Sequence, residues 1–129
     1  MSTKLIVAVL AVFVVILVVV GGSSGGKPPG SDKVRISDLR DLSGFVRCVA
    51  QLNDNTLPTT LTPVERCGRN INLADPATGT PYGYEVLTPD TYRVCAEFEK
   101  PKRVTSAWYG LGEFDPETGC ATAPLSSDQ

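Results

Sequence analysis

The sequence predicts an α+β domain carried behind an N-terminal transmembrane helix. In that domain one long amphipathic helix packs on a small antiparallel β-sheet, and two disulfides staple the ends. Three observations predict this. Leu5 to Val20, LIVAVLAVFVVILVVV, holds no polar residue. Between Ile36 and Leu52 the apolar residues recur mostly at every third or fourth position. Beyond Asp75 they alternate in short runs between turns rich in proline and glycine, and four cysteines are spread along the same region.

At about 1.5 Å per residue, Leu5 to Val20 spans roughly 24 Å as a helix. A bilayer core is about 30 Å thick, so residues 1–22 are expected to form a short membrane anchor. The competing expectation is a cleaved signal peptide that releases a small secreted domain. Against it, the run exceeds the usual signal-peptide core of about 7–15 residues, and no A-x-A site follows. Residues 23–30, SSGGKPPG, read as a flexible linker with one stiff proline step, and residues 31–129 as the domain.

Ser31 or Asp32 is placed to cap a helix starting near Lys33. Ile36, Leu39, Leu42, Phe45, Val46, Val49 and Leu52 form its apolar stripe. Arg35, Asp38, Arg40 and Asp41 fall largely between them and are expected on a solvated face. Asn53-Asp54-Asn55 and Pro58 end the helix, and Val64 to Arg69 is expected to form a short turn carrying Cys67.

In DPATGTPYGYEV, Asp75-Pro76 opens a turn. Proline fixes φ, and the aspartate side chain accepts a local backbone hydrogen bond. Gly79 supplies a positive φ. Tyr82, Tyr84 and Val86 then alternate as on a strand. Thr88-Pro89-Asp90 turns the chain, and Tyr92, Val94, Ala96 and Phe98 return it, which makes a β-hairpin. Asp115 to Gly119, DPETG, repeats the turn ahead of a short candidate strand, CATA. Asp75, Pro76, Gly79, Tyr82 and Tyr84 are therefore read as a structural turn and not as a site of chemistry.

Cys48, Cys67, Cys95 and Cys120 make an even set with no C-x-x-C pair, and histidine is absent, so disulfides are expected and metal is not. Three pairings are open. Cys48–Cys67, joining helix to following loop, and Cys95–Cys120, joining returning strand to C-terminal segment, are favoured. Charges flanking the apolar run (Lys4 on one side; Lys27, Lys33 and Arg35 on the other) lean towards an inward-facing domain. Paired cysteines suit an oxidising compartment, and they decide for an outward one.

The formal net charge of -2 supplies no basic footprint for nucleic acid. With no histidine, no G-x-S-x-G elbow and no phosphate loop, the sequence names no catalytic residue, no cofactor and no small-molecule substrate. Glu97 and Glu99 are expected on one exposed strand face. Trp108-Tyr109 is a candidate partner contact, with a lid over the helix–sheet core as the competing role.

R-x-x-D-L (Arg35 to Leu39), N-x-L-P (Asn55 to Pro58), DPATGTPYGY and YRVCAEFE together resemble the globular part of type IV pilin-like and type II secretion pseudopilin-like proteins. The resemblance covers Val34 to Phe98 and is most specific at Asp75 to Tyr84 and Tyr92 to Phe98. It looks closest to uncharacterised bacterial single-pass membrane proteins of that shape. It implies a pseudopilin-like domain in the periplasm, anchored in the bacterial inner membrane through residues 5–20. Lys4-Leu5 opens the apolar run with neither the glycine nor the early glutamate of a prepilin peptidase site, so the N-terminal segment is expected to stay attached. The function expected is non-enzymatic: a membrane-tethered interaction or assembly protein with an unidentified envelope partner. A minor pseudopilin of a secretion or pilus machine is the alternative.

Overall fold

In the computed structural model of the chain, residues 27–68, 70–110 and 112–126 are described. The expected anchor over residues 1–22 lies outside them. Among the described residues no helix is long and apolar enough to cross a membrane.

Helix α1 (Gly30–Leu52) is 23 residues long. It starts directly after Pro28-Pro29, where proline's missing amide and preset φ cost a first turn little. The Pro29 carbonyl accepts the first helical bond, from the Lys33 amide at 3.0 Å. The expected side-chain cap is absent: neither Ser31 nor Asp32 caps this helix. The inward stripe is Ile36, Leu39, Leu42, Phe45, Val46 and Ala50, all buried. Leu52, expected on that stripe, is the last residue of the helix and is exposed. Asp54 and Asn55 end the helix in left-handed conformations, φ 52° and 58°. Their short polar side chains tolerate that region better than most.

The chain then crosses a loop in which Leu57 is buried, and a 3₁₀ turn at Glu65–Cys67 brings Cys67 to Cys48 on α1. The sheet follows: β1 (Gly83–Thr88), β2 (Thr91–Cys95), then helix α2 (Pro101–Ala107), β3 (Glu113–Asp115) and β4 (Cys120–Pro124). Strand order is β1-β2-β4-β3, antiparallel throughout. Tyr92 pairs with Ala123 and Val94 with Ala121, so all four point to the helix side and are buried with Leu39, Leu42, Phe45, Val46 and Ala50. The opposite face is the solvated one. There Glu85 and Arg93, directly opposed in register, form an ion pair. Its partners are both partly exposed, so it contributes at most about 1 kcal/mol. On the same face, Cys95 and Cys120 are register partners and disulfide-bonded. The bridges are thus Cys48–Cys67 and Cys95–Cys120, the favoured pairing.

The architecture is the α+β arrangement expected, with differences of detail. Strand β1 begins at Gly83, after Tyr82, and β2 stops at Cys95, which leaves Ala96 and Phe98 outside the sheet. Glu97 and Glu99 consequently lie on no strand. They belong to the segment that turns into α2, a helix the periodicity had not disclosed. Pro101 opens α2 at its first turn, as proline can, and Val104 is its buried residue.

The two D-P-x-T-G segments adopt one conformation. The Gly79 amide donates to the Asp75 carbonyl at 2.7 Å, and the Gly119 amide to the Asp115 carbonyl at 2.9 Å. Asp75 Oδ1 accepts from the Ala77 amide and Asp115 Oδ1 from the Glu117 amide, both at 2.9 Å. The glycines close the turns at φ 75° and 71°. They differ in surroundings. A Cβ on Gly79 would meet open space, whereas one on Gly119 would lie 2.4 Å from the Ala96 carbonyl oxygen. Thermal unfolding of the purified domain should therefore rank three variants. Thr78→Ala, which loses exposed hydroxyl bonds to Thr80, costs least, Gly79→Ala costs about 1 kcal/mol of backbone strain, and Gly119→Ala costs more because a clash adds to the same strain. Equal shifts for the two glycine variants would contradict the assigned packing.

Candidate functional site

Of the residues that bring charge together inside this protein, Arg35 and Asp38 were expected on a solvated face and Asp32 as a helix cap. Asp32, Arg35 and Asp38 lie three apart, so α1 presents them as one stripe. That stripe turns inward. Arg35 is 2 % exposed, Asp32 0 % and Asp38 8 %. The solvated-face expectation is corrected for Arg35 and Asp38 and stands for Arg40 and Asp41, both exposed. The physical reason is that each buried charge meets a partner from far along the chain, which helix periodicity cannot show.

The Arg35 guanidinium is the hub. Its Nη1 donates to Asp32 Oδ1 at 2.7 Å, and its Nε to Asp75 Oδ2 at 2.5 Å. Glu99 Oε1 lies 3.7 Å from Nη1 at the solvent edge and accepts from the Ser31 hydroxyl at 2.8 Å. Asp32 also accepts the backbone amides of Glu99 and Lys100, at 2.9 and 2.8 Å. The side chain expected to cap α1 thus satisfies the chain just ahead of α2. One turn further on, Asp38 accepts from the Tyr82 hydroxyl at 2.6 Å and from Asn72 Nδ2 at 3.1 Å. Asp75 and Tyr82 come from the expected structural turn and are fastened directly to α1. Tyr84 reaches elsewhere, donating to the Pro58 carbonyl at 2.7 Å and holding the loop after α1 against the sheet.

Protonation follows from these surroundings. Burial alone would push the Asp75 carboxyl up, but the hydrogen bond from Arg35, the Ala77 amide and the nearby positive charge together hold it below the usual carboxylate range. Burial and the hydrogen bond to the Asp38 carboxylate push the Tyr82 phenol well up. Burial, with a smaller contribution from Tyr92, pushes Tyr84 up to about 12. Near neutral pH the carboxyl of Asp75 stays ionised and these phenols stay protonated. These groups hold elements together in a single protonation state across that range.

Trp108 and Tyr109 part company. Trp108 is half-buried and stacks on Phe114, ring centres 5.5 Å apart, while Phe98 meets Phe114 edge-on at 5.3 Å. The indole donates to the Gly112 carbonyl at 3.2 Å. Tyr109 is 59 % exposed, with the Arg40 guanidinium carbon 5.0 Å from its ring centre. Among the described residues no group of three histidine, cysteine, aspartate or glutamate side chains is arranged to hold a metal ion.

Two outcomes test the hub. Arg35→Met should lower stability by about 3–5 kcal/mol in urea unfolding, because Asp32 and Asp75 are left buried without their cation. Tyr82→Phe, which removes a single donor from Asp38, should cost about 1–3 kcal/mol. Acid dependence has a definite sign. The folded-state value of Asp75 is depressed, so its contribution is whole above the ordinary carboxyl value of 3.8 and is lost as pH falls through the lower folded value. Asp75→Asn should be less stable near neutrality and should flatten the pH dependence of stability in that acidic window; an unchanged slope would remove Asp75 as its source.

No protein-family profile, no curated protein and no solved structure matches this chain.

Proposed function

We propose that the protein is a membrane-tethered envelope component that binds or helps to assemble other proteins and performs no chemistry of its own. The observation that carries this reading is the break ahead of α1. Lys27, Pro28 and Pro29 are not helical, and Pro29 is extended at ψ 158°. The domain therefore joins the preceding glycine- and serine-rich residues through a non-helical step. A tether needs only that, whereas a pilin-like filament subunit needs one unbroken helix from membrane to domain. The apolar run Leu5 to Val20 supplies the anchor in this reading. The Arg35 cluster and the two disulfides support it as well, since they commit Asp32, Arg35, Asp75 and the four cysteines to holding segments together.

A second reading, a minor pseudopilin-like component of a type II secretion or type IV pilus machine, draws on a separate observation. The order of elements is a long helix, a loop carrying DPATG, then an antiparallel sheet with a disulfide-held C-terminal strand. The resemblance implies a D-P-x-T-G turn ahead of a small antiparallel sheet, and this reading draws on that order.

Protease added to spheroplasts should remove the domain, and intact-mass analysis of membrane extracts should find the N-terminal segment still attached. A soluble species beginning near Gly22 would replace the tether by a secreted domain. A domain protected from protease would place it on the cytoplasmic side. Crosslinking in membranes should recover a partner other than the chain itself, whereas recovery of pilus or secretion-machine subunits would select the second reading.

A further inference from the structure

We propose that the cleft where the chain enters α1 is a docking site for an anionic phospholipid surface, so that the domain sits on the bilayer that anchors it. The inference rests on the membrane-tethered reading and adds a binding surface to it. The cleft measures about 390 Å³ and is lined by Lys27, Pro28, Lys33, Ile36, Ala107 and Tyr109. Pro28 and Ile36 are buried and make an apolar floor, with Ala107 half-buried beside them. Lys27 and Lys33 are exposed at the rim. Tyr109, also exposed, has the Arg40 guanidinium over its ring. Cations around an apolar floor, with an aromatic ring that ends in a hydroxyl, match the chemistry of a phospholipid headgroup region. Phosphates meet the ammonium groups, the glycerol end of the lipid meets the floor, and tyrosine takes its usual level at the membrane–water boundary.

The occupant is chosen by where the chain goes. Lys27 lines the cleft itself, and only residues 21–26, GGSSGG, separate it from the apolar run ending at Val20. A glycine- and serine-rich sequence of six residues has a reach of roughly 5–6 Å × √6, or about 13 Å. That is comparable with the roughly 8–10 Å over which charges interact at ordinary ionic strength. A tethered domain also meets the surface at an effective concentration of the order of millimolar, so a weak site is enough to keep it seated.

The full chain in nanodiscs tests this, with discs of phosphatidylcholine alone compared with discs containing added phosphatidylglycerol. Amide hydrogen exchange is followed over residues 30–40 and 104–110. Exchange in both segments should slow several-fold in the phosphatidylglycerol discs, and raised salt should reverse the effect. Lys27→Glu combined with Lys33→Glu should abolish it, since each cation near an anionic surface is worth about five-fold in binding. Tyr109→Ser keeps both lysines and should weaken the effect without abolishing it. Embedded chains whose exchange ignores lipid charge would overturn the docking site and leave the tether standing. Protection that ignores lipid charge but grows with the number of chains per disc would assign the cleft to a second copy, which also overturns it. Chains that never enter the discs would sink the anchored reading itself, and this proposal with it.

Discussion

The burial of Arg35 is the constraint around which the rest of the structure is arranged. A guanidinium cannot be taken out of water without a penalty of several kcal/mol unless anionic partners surround it in good geometry. Here Asp32 and Asp75 flank it, Glu99 approaches from the solvent edge, and the carboxylates exceed the single cation. The surplus negative charge is absorbed by backbone donors: the amide of Ala77 on Asp75, and those of Glu99 and Lys100 on Asp32. Each bond is directional, and the partners come from α1, from the D-P-A-T-G turn and from the approach to α2. These three segments therefore share one seating. A buried ion pair adds little adhesion beyond what a well-packed apolar group would supply. What it contributes here is geometry.

That geometry matters because the apolar core is small. Four inward residues of β2 and β4 and one stripe of α1 form its centre, with Tyr82 and Leu57 at the margin. The disulfides act on other parts of the problem. Cys48–Cys67 draws the loop after α1 back onto the helix, and Cys95–Cys120 locks β2 to β4 on the face remote from it. Loops of this length imply about 3 kcal/mol from each bridge, mainly by restricting the unfolded chain. Helix, loop and sheet are thus held by three different means.

The twin turns separate local chemistry from its use. Both D-P-x-T-G segments make the same backbone bonds and end in a left-handed glycine. Asp75 then directs its second oxygen to Arg35, while Asp115 accepts from the Thr118 hydroxyl at the surface. One turn fastens the core, and the other only reverses the chain. The buried charges are committed inward, and the proposed docking surface is a separate one, where Tyr109 and Arg40 sit near the rim of the cleft at the start of α1.

By itself the sequence determined what depends on neighbours in the chain. Helix α1 was legible because its apolar spacing repeats over several turns, and the β1–β2 hairpin because Tyr84, Val86, Tyr92 and Val94 alternate between two turns. Proline and glycine announce their own φ values, which located both D-P-x-T-G turns. Of the three disulfide pairings left open, the order of those elements favoured the one that forms. Helix α2 and strand β3 escaped because seven and three residues are too few to display a period. The inward stripe of Asp32, Arg35 and Asp38 escaped for a deeper reason. Charged residues on a helix look alike whether they face water or each other, and the partners that decide it here stand 40 residues away for Arg35 with Asp75, and 44 for Asp38 with Tyr82. Only the folded chain brings those groups within bonding distance, and desolvation then makes the pairing obligatory.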